Sequence, residues 1–144
     1  MIRRAAAADA AVVSALASLL WEDADATALT KELSGLLEDD RCAIFLAVEN
    51  GQEIGFAQCQ LRHDYVEGTE SSPVGYLEGI FVRPEHRGKG YARALLRACE
   101  NWAAGRGCSE FASDCELENV DSLRFHLGIG FIEMGRNIHF SKQI

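Results

Sequence analysis

The chain has 144 residues, of which 48% are hydrophobic and 25% charged, and it carries a formal net charge of −8. This length and composition predict one globular domain, residues 1–144, and exclude a disordered or fibrous chain. The negative charge argues against nucleic acid or an anionic membrane as a partner. It would attract a cationic partner, although without a suspected ligand an acidic balance more often only aids solubility.

The cysteines and the N-terminal segment indicate the compartment. The five cysteines are odd in number and include no Cys-x-x-Cys pair, which is typical of reduced thiols in a cytoplasmic protein. The histidines show no ligand spacing with them, so no metal site is predicted. Arg3, Arg4 and the following alanines imitate a secretory signal, but Asp9 interrupts that run and no apolar stretch is long enough to span a bilayer.

The first half of the sequence predicts a strand, two helices and three strands, in this order: 1–6, 10–20, 27–37, 42–48, 53–63 and 75–82. Asp9 is placed to cap the first helix. Asn50 and Gly51 form a strong hairpin turn between the second and third strands. Residues 66–72 are polar and predict a loop.

The second half predicts a helix up to residue 104, a strand, another helix and two final strands, the last four at 108–114, 119–127, 132–134 and 137–141. The whole order predicts an α/β fold, with a mixed central sheet of about seven strands flanked by four helices. The strands on either side of the third helix should be parallel and joined by a right-handed crossover.

The stretch from Arg87 to Ala92 joins a strand to an amphipathic helix through a glycine-rich turn. Gly88 and Gly90 permit close approach of the backbone to a ligand, and the helix dipole adds partial positive charge, which suits a phosphate group. The glycine spacing fits neither a Walker loop nor the three-glycine dinucleotide fingerprint. By itself, such a turn is more often structural punctuation.

Two carboxylates stand out in the strands on either side of this helix. Glu78 is polar within an otherwise apolar strand, and alternation places it on the side of Tyr76, Ile80 and Val82 unless a bulge intervenes. Asp114 ends the next predicted strand. Without further context, Glu78 would be a solvent-facing residue and Asp114 would cap a turn.

The pattern Arg-x-x-Gly-x-Ala at Arg87, Gly90 and Ala92 resembles the pyrophosphate loop of the Gcn5-related N-acetyltransferases, the GNAT superfamily. The predicted element order matches that fold over the whole chain, and Glu118-Asn119 and Gly130-Phe131 agree with further motif positions. Several blocks, with Trp21 and Gly107-Cys108, resemble the aminoglycoside 6′-N-acetyltransferases of chromosomal bacterial origin: residues 62–68, 71–73, 77–82 and 112–114.

The resemblance implies a single N-acetyltransferase domain that binds acetyl-coenzyme A between splayed central parallel strands. Its acyl-carrying arm would lie along the backbone of Ile80, Phe81 and Val82, and the Val82 N–H would face the thioester oxygen. The pyrophosphate would bind the loop residues Arg87, Gly88, Lys89, Gly90, Tyr91 and Ala92. Asn119 would contact the cofactor arm, although helix N-capping is an alternative role that is compatible with it.

The resemblance also implies an acceptor pocket for a cationic aminoglycoside, and hence antibiotic resistance. We assign Glu78 as a base that acts through water and Asp114 as the principal ligand of the substrate's ammonium groups; the reverse assignment is open. Trp21 and Tyr65 would line the pocket unless they belong to the core. Glu133 is a weaker candidate for further negative charge and would reach toward a partner subunit, the family being commonly dimeric.

The sequence leaves open the acid for the leaving thiolate and the identity of the acceptor. Many superfamily members place a tyrosine four residues before the Gly-Phe pair as the acid for the leaving thiolate, and this chain has His126 there, which either serves as that acid or only packs. The acceptor is alternatively another small amine, a polyamine or a protein N-terminus. A sensor that binds acetyl-coenzyme A without turnover is the candidate from a different class.

Overall fold

The computed structural model describes residues 1–144, which form five strands and four α-helices. In chain order these are β1 (Ile2–Arg4), α1 (Ala10–Leu20), α2 (Ala26–Glu38), β2 (Cys42–Glu49), β3 (Gln52–Arg62), β4 (Val74–Val82), α3 (Tyr91–Gly105), β5 (Phe111–Ala112) and α4 (Val120–Gly128). Short 3-10 turns precede α1 and follow β4. The α/β class, the order of these elements and the four helices are confirmed.

One sheet holds all the strands in the order β1-β2-β3-β4-β5. The first four are antiparallel neighbours, and β5 pairs parallel with β4 after α3 has crossed between them. The β2–β3 hairpin turns at Asn50 and Gly51, whose φ angles of 52° and 76° match the tight turn that these residues favour. The predicted hairpin and the parallel pair are therefore correct.

Alternation along β2 separates two apolar layers. Ala43 and Ala47 pack toward α3, together with Leu95 and Cys99 of that helix. On the other face, Ile44 and Leu46 belong to a core that also contains residues of α1 and α2. The period-2 alternation of the strand thus covers both faces of the sheet with helices.

A β-bulge in β4 sets the direction of its side chains. The pairing with β3 shifts between Gln58–Gly79 and Cys59–Leu77, so that Glu78 has no partner of its own. Beyond this extra residue, Ile80 and Val82 pack into the core on the α3 side. Glu78 instead bonds to Arg62 on β3. The exception allowed in the sequence analysis is therefore realised: a bulge resets the alternation, and Glu78 does not share a side with Ile80 and Val82.

The end of the chain differs from the prediction of two final strands. Residues 131–144 contain no strand, and none of residues 132–144 makes a backbone–backbone hydrogen bond. The strand predicted at 108–114 is reduced to Phe111–Ala112. A strand needs a neighbouring edge, and β5 leaves the sheet after two residues, so this part of the chain offers no ladder for the terminal segment to join. The sheet therefore has five strands rather than about seven.

The N-terminus of α1 shows a second difference. The helix begins at Ala10 as predicted, but the Asp9 side chain makes no hydrogen bond to it. Its carboxylate accepts instead from the Ala6 N–H at 2.8 Å and from both terminal nitrogens of Arg3. These bonds lower the pKa of Asp9 to about 2, the guanidinium of Arg3 being the largest cause.

None of the helices has the length and apolar character needed to span a membrane.

Candidate active site

The turn between β4 and α3 presents a row of unpaired backbone donors. None of the six amides from Gly88 to Arg93 donates a hydrogen bond within the chain. Gly88 and Gly90 have φ angles of 78° and 86°, a left-handed conformation that glycine adopts without strain. Free N–H groups at the first turn of a helix form an anion site, so the backbone of this turn fits a diphosphate.

The charged side chains of the same turn are held by protein groups. Arg87 donates from Nε to the Val82 carbonyl at 2.8 Å, which folds its side chain back onto the end of β4. Lys89 Nζ lies 3.2 Å from Glu49 Oε1 at the β2–β3 hairpin. Both residues therefore brace the turn, and its unpaired donors are the backbone amides together with the terminal nitrogens of Arg87.

Glu49 ties the hairpin to the turn through a second bond. The Tyr91 hydroxyl donates to Oε1 of Glu49 at 2.9 Å, and this bond, followed by that from Lys89, lowers the pKa of the carboxyl. The same hydrogen bond raises the pKa of Tyr91. These contacts connect the first turn of α3 to the neighbouring hairpin, a link that the sequence reading did not identify.

A gap between β4 and β5 lies next to this turn. The two strands pair only at Gly75–Phe111 and Tyr76–Ala112, so β4 has no partner on that side along its second half. Arg83 donates its N–H to Ile54, and because bonded and non-bonded pairs alternate in an antiparallel ladder, Val82 directs its own N–H away from β3. The splay predicted between the parallel strands thus exists, and the Val82 N–H points to its side.

At the other end of the splay, Glu78 meets a residue that the sequence reading did not single out. Arg62 Nη2 lies 2.8 Å from Glu78 Oε1, and the Arg62 guanidinium lies 3.5 Å from the centre of the Tyr76 ring. The cross-strand partner of Arg62 is Val74. The antiparallel pairing of β3 and β4 places Arg62 and Glu78 on neighbouring strands. The bulge at Glu78 shifts the register between these strands, so the contact between the two residues could not be predicted from the sequence.

Asp114 belongs to the same cluster. Burial and then the nearby Asp114 carboxylate raise the pKa of Tyr76 to about 12. Asp114 itself is exposed. A cleft of about 630 Å³ opens here, and its walls include Arg62, Tyr65, Tyr76, Asp114, His126 and Glu133. Glu78 and Asp114 thus both lie near Tyr76, and of the two carboxylates Asp114 lines the cleft.

The remaining acceptor candidates lie at different depths. Trp21 packs over Gly79, so closely that a Cβ there would lie 2.6 Å from Cζ2 of the indole, and its ring meets Phe56 edge-on at 6.0 Å. It is therefore partly a core residue beside Glu78. Tyr65 is 78% exposed at the mouth of the cleft. Glu133 is exposed and paired with Arg136.

His126, on α4, and Asn119, at its N-terminus, both have defined hydrogen-bond partners. Nδ1 of His126 lies 2.7 Å from the Ser122 carbonyl, which can only accept, so that nitrogen carries the hydrogen. Nε2 then accepts from the Ser113 hydroxyl at 2.8 Å. Asn119 accepts the Ser122 N–H at 3.0 Å and is the N-cap of α4, so its alternative role is realised.

Comparison with known proteins agrees with this arrangement. Residues 13–131 match the model of the acetyltransferase (GNAT) family. An aminoglycoside N(6′)-acetyltransferase type 1 from Stenotrophomonas maltophilia is 47% identical over 96% of this chain and 90% of its own length. Another from Acinetobacter haemolyticus is 43% identical, covering 90% of this chain and 88% of its own.

Solved structures give the same result. AAC(6′)-Iy in complex with the bisubstrate analogue CoA-S-monomethyl-acetylneamine superposes with a TM-score of 0.94 at 38% identity, covering 100% of this chain and 98% of its own. The complex of AAC(6′)-Iy with CoA gives 0.95 at 38% identity, covering 100% and 95%. The chain therefore belongs to the GNAT acetyltransferases and, within them, to the aminoglycoside N(6′)-acetyltransferase family.

Proposed function

We propose that this protein transfers the acetyl group of acetyl-coenzyme A to the 6′-amine of aminoglycoside antibiotics and so confers resistance. The observation that carries the proposal is the presence of two chemistries along β4, at opposite ends of the strand splay. Free backbone amides that suit a diphosphate lie at one end of a strand splay, and carboxylates that suit a polycation lie at the other.

The cosubstrate would be held mainly by the backbone. The amides from Gly88 to Arg93 take the diphosphate, and Arg87 and Lys89 keep the turn in shape through Val82 and Glu49. The acyl-carrying arm runs along Ile80, Phe81 and Val82 where β5 has left β4. Asn119 adds a contact from the start of α4 while it caps that helix.

The reaction is a direct attack in a ternary complex. A primary ammonium, with a pKa of about 10, must lose a proton before its nitrogen can attack, and Glu78 accepts that proton through a water. The new C–N bond forms as the C–S bond breaks, and the coenzyme leaves as its thiolate. The Val82 N–H stabilises the negative charge that develops on the thioester oxygen.

Asp114 is the principal ligand for the substrate's other ammonium groups, because it is exposed and lines the cleft, whereas Glu78 is half-buried and paired with Arg62. Trp21 and Tyr65 offer aromatic faces to the sugar rings. Glu133 adds negative charge near the mouth of the cleft. Together these groups favour a polycation over a neutral peptide end.

His126 supplies the proton to the leaving thiolate through Ser113. The Ser113 hydroxyl lies between Nε2 of His126 and the Leu77 carbonyl, which places it across the splay. When His126 is protonated, Nε2 donates to the Ser113 oxygen, and the single hydroxyl hydrogen must leave the Leu77 carbonyl to reach the sulfur.

We further propose that the protein works as a homodimer in the cytoplasm. Apolar side chains of the terminal segment are exposed with no partner in the monomer: Ile132 79%, Met134 62%, Ile138 79% and Phe140 90%. Burial of this segment against a second copy would remove that surface from water. Phe140→Glu should therefore yield a monomer in sedimentation, whereas an unchanged mass would contradict the dimer.

The five free cysteines support the proposed location in the cytoplasm, because thiols stay reduced in that compartment.

The assay that tests the function is thiol release from acetyl-coenzyme A with two matched antibiotics. Neomycin has a 6′-amine, and paromomycin has a hydroxyl in its place but is otherwise the same molecule. We expect steady turnover with neomycin and none with paromomycin, with spermidine as the polyamine control. Equal rates with both antibiotics would contradict specificity for the 6′-amine. Turnover with spermidine alone would mean that the substrate is a polyamine rather than an aminoglycoside.

A further inference from the structure

The contact between Arg62, Tyr76 and Glu78 has the composition of a cation-binding subsite. An aromatic face and a carboxylate are the two groups that bind an organic ammonium in proteins. Here the guanidinium of Arg62 occupies the place between them, 3.5 Å from the ring centre and 2.8 Å from the carboxylate oxygen. The protein therefore fills a cation subsite with its own side chain.

This subsite belongs to the acceptor cleft. Arg62 and Tyr76 both line the cleft, and Asp114 lies close enough to act on the pKa of Tyr76. Tyr76 is only 6% exposed, and the guanidinium covers one face of its ring. Displacement of Arg62 would uncover both the ring face and the carboxylate at once.

Arg62 can move away at low cost. Its side chain is 38% exposed and has a single bonded partner, Glu78, whose own side chain is 24% exposed. An ion pair of this exposure contributes little net stability, because water solvates both partners once they separate. The contact is thus suited to exchange rather than to permanent structure.

We propose that Arg62 is an internal surrogate for a substrate ammonium group: it neutralises Glu78 in the free enzyme and is displaced when the aminoglycoside binds. The proposal rests on the proposed function, because it takes the acceptor to be a polycation. It makes Arg62 a specificity-determining residue, which competes with the substrate and takes no part in the chemical step.

The exchange explains a preference for polycations. A monoamine that replaces Arg62 exchanges one cation for another and gains little. An aminoglycoside replaces Arg62 with one ammonium group and places others against Asp114, so that the second contact is a net gain. Removal of Arg62 should therefore improve the binding of every amine that occupies the subsite, by about the same factor.

The experiment compares the KM for neomycin of the wild type with that of Arg62→Met, which keeps an unbranched apolar stem without the charged guanidinium. We expect the KM to fall by about fivefold, the scale of an exposed ion pair and a cation–π contact that no longer compete. The KM for acetyl-coenzyme A should not change. Arg62→Lys, which keeps the charge without the planar group, should give an intermediate KM for neomycin.

Arg97→Met is the matched control. Arg97 is exposed on α3, which covers the opposite face of the sheet, and its loss changes the net charge by the same amount. The proposal would be overturned if the KM for neomycin fell by no more in Arg62→Met than in Arg97→Met. The change in net charge, which attracts any cation, would then explain the lower KM. An increase in that KM would also overturn the proposal, because Arg62 would then be helping to bind the antibiotic.

These outcomes are separate from failure of the proposed function. If the wild type does not acetylate neomycin, the function itself fails. If the wild type is active and Arg62→Met binds neomycin no better, only the surrogate role fails. Should Arg62→Met be unstable, Arg62→Gln gives the same comparison with a polar side chain, and thermal unfolding of each variant checks that the fold is intact.

Discussion

The two ends of the proposed site differ in their chemistry. At the proposed cofactor end the backbone amides from Gly88 to Arg93 are unpaired, and Arg87 Nε and Lys89 Nζ bond to protein groups. At the proposed acceptor end the polar groups are side chains, with Glu78 and Arg62 paired over Tyr76. One end is thus set by backbone shape and the other by charge.

This difference predicts how each end responds to substitution. A backbone site tolerates changes of side chain as long as the turn keeps its conformation, so it can hold the same cofactor in many relatives. A side-chain site changes its preference with single residues, which is how one fold serves different acceptors. Substitutions at the two ends should therefore separate cleanly in their effects on the two substrates.

The largest expected effect is that of Glu78→Gln. Loss of the proton acceptor should lower kcat by about 100-fold and remove the rise of kcat with pH, because the amide cannot take up the proton of the amine. The measurement is thiol release at several pH values with saturating substrates. Glu32→Gln, at an exposed position on α2, should leave the profile as in the wild type. An unchanged pH profile for Glu78→Gln would remove Glu78 as the base.

Asp114→Ala tests whether the acceptor end discriminates by charge. We expect the KM for neomycin to rise by about 30-fold, within the range of a lost charge-assisted hydrogen bond, while the KM for acetyl-coenzyme A stays constant. Initial rates with each substrate varied in turn measure both constants. Equal increases in the two constants would mean that Asp114 supports the fold of the site rather than the antibiotic.

Gly90→Ala tests the cofactor end. Gly90 has a φ of 86°, and a side chain in this left-handed conformation costs about 1–2 kcal/mol, so the KM for acetyl-coenzyme A should rise by about tenfold. The KM for neomycin should be unaffected. Gly105→Ala provides the control, because that glycine ends α3 and a Cβ there meets no atom within 4 Å. A normal KM for acetyl-coenzyme A in Gly90→Ala would contradict the role of the turn.

The smallest effect concerns an ion pair that lies in neither region. The pKa of Asp9, lowered from 3.8 to about 2, means that its stabilisation is present above about pH 4 and is lost as the pH falls toward 2. Asp9→Asn should therefore lower the free energy of unfolding by about 1 kcal/mol at pH 7 and by much less near pH 2, with unchanged kinetics. Thermal unfolding at the two pH values measures this, and a loss that is independent of pH would rule out the charge as its cause.

The elements that local pattern determines were predictable. The glycine-rich turn, the Asn50-Gly51 hairpin and the helices have signals within a few residues of one another, and their bounds agree with the structure to within one or two residues. The parallel pairing of β5 followed from the helix that separates it from β4. The cofactor end, being a matter of backbone shape, was accessible for the same reason.

What local pattern could not supply was partnership across the chain. The bulge at Glu78 depends on how β3 and β4 align, and it decides both the direction of Val82 and the meeting of Glu78 with Arg62. The terminal segment alternates like a strand yet has no edge to pair with. Asp9 had an equally local partner in α1 but bonds instead to Arg3. Each of these outcomes depends on which residues distant in the sequence or outside the element are available to pair, and a local pattern does not contain that information.

The most direct test of the two-ended site is to follow backbone amide resonances while coenzyme A and then neomycin are added. We expect coenzyme A to shift the amides from Gly88 to Arg93 together with that of Val82, and neomycin to shift those of Arg62, Tyr76 and Asp114. Shifts from coenzyme A that bypass the Gly88–Arg93 amides, or neomycin shifts confined to that same turn, would contradict the division between a backbone end and a side-chain end.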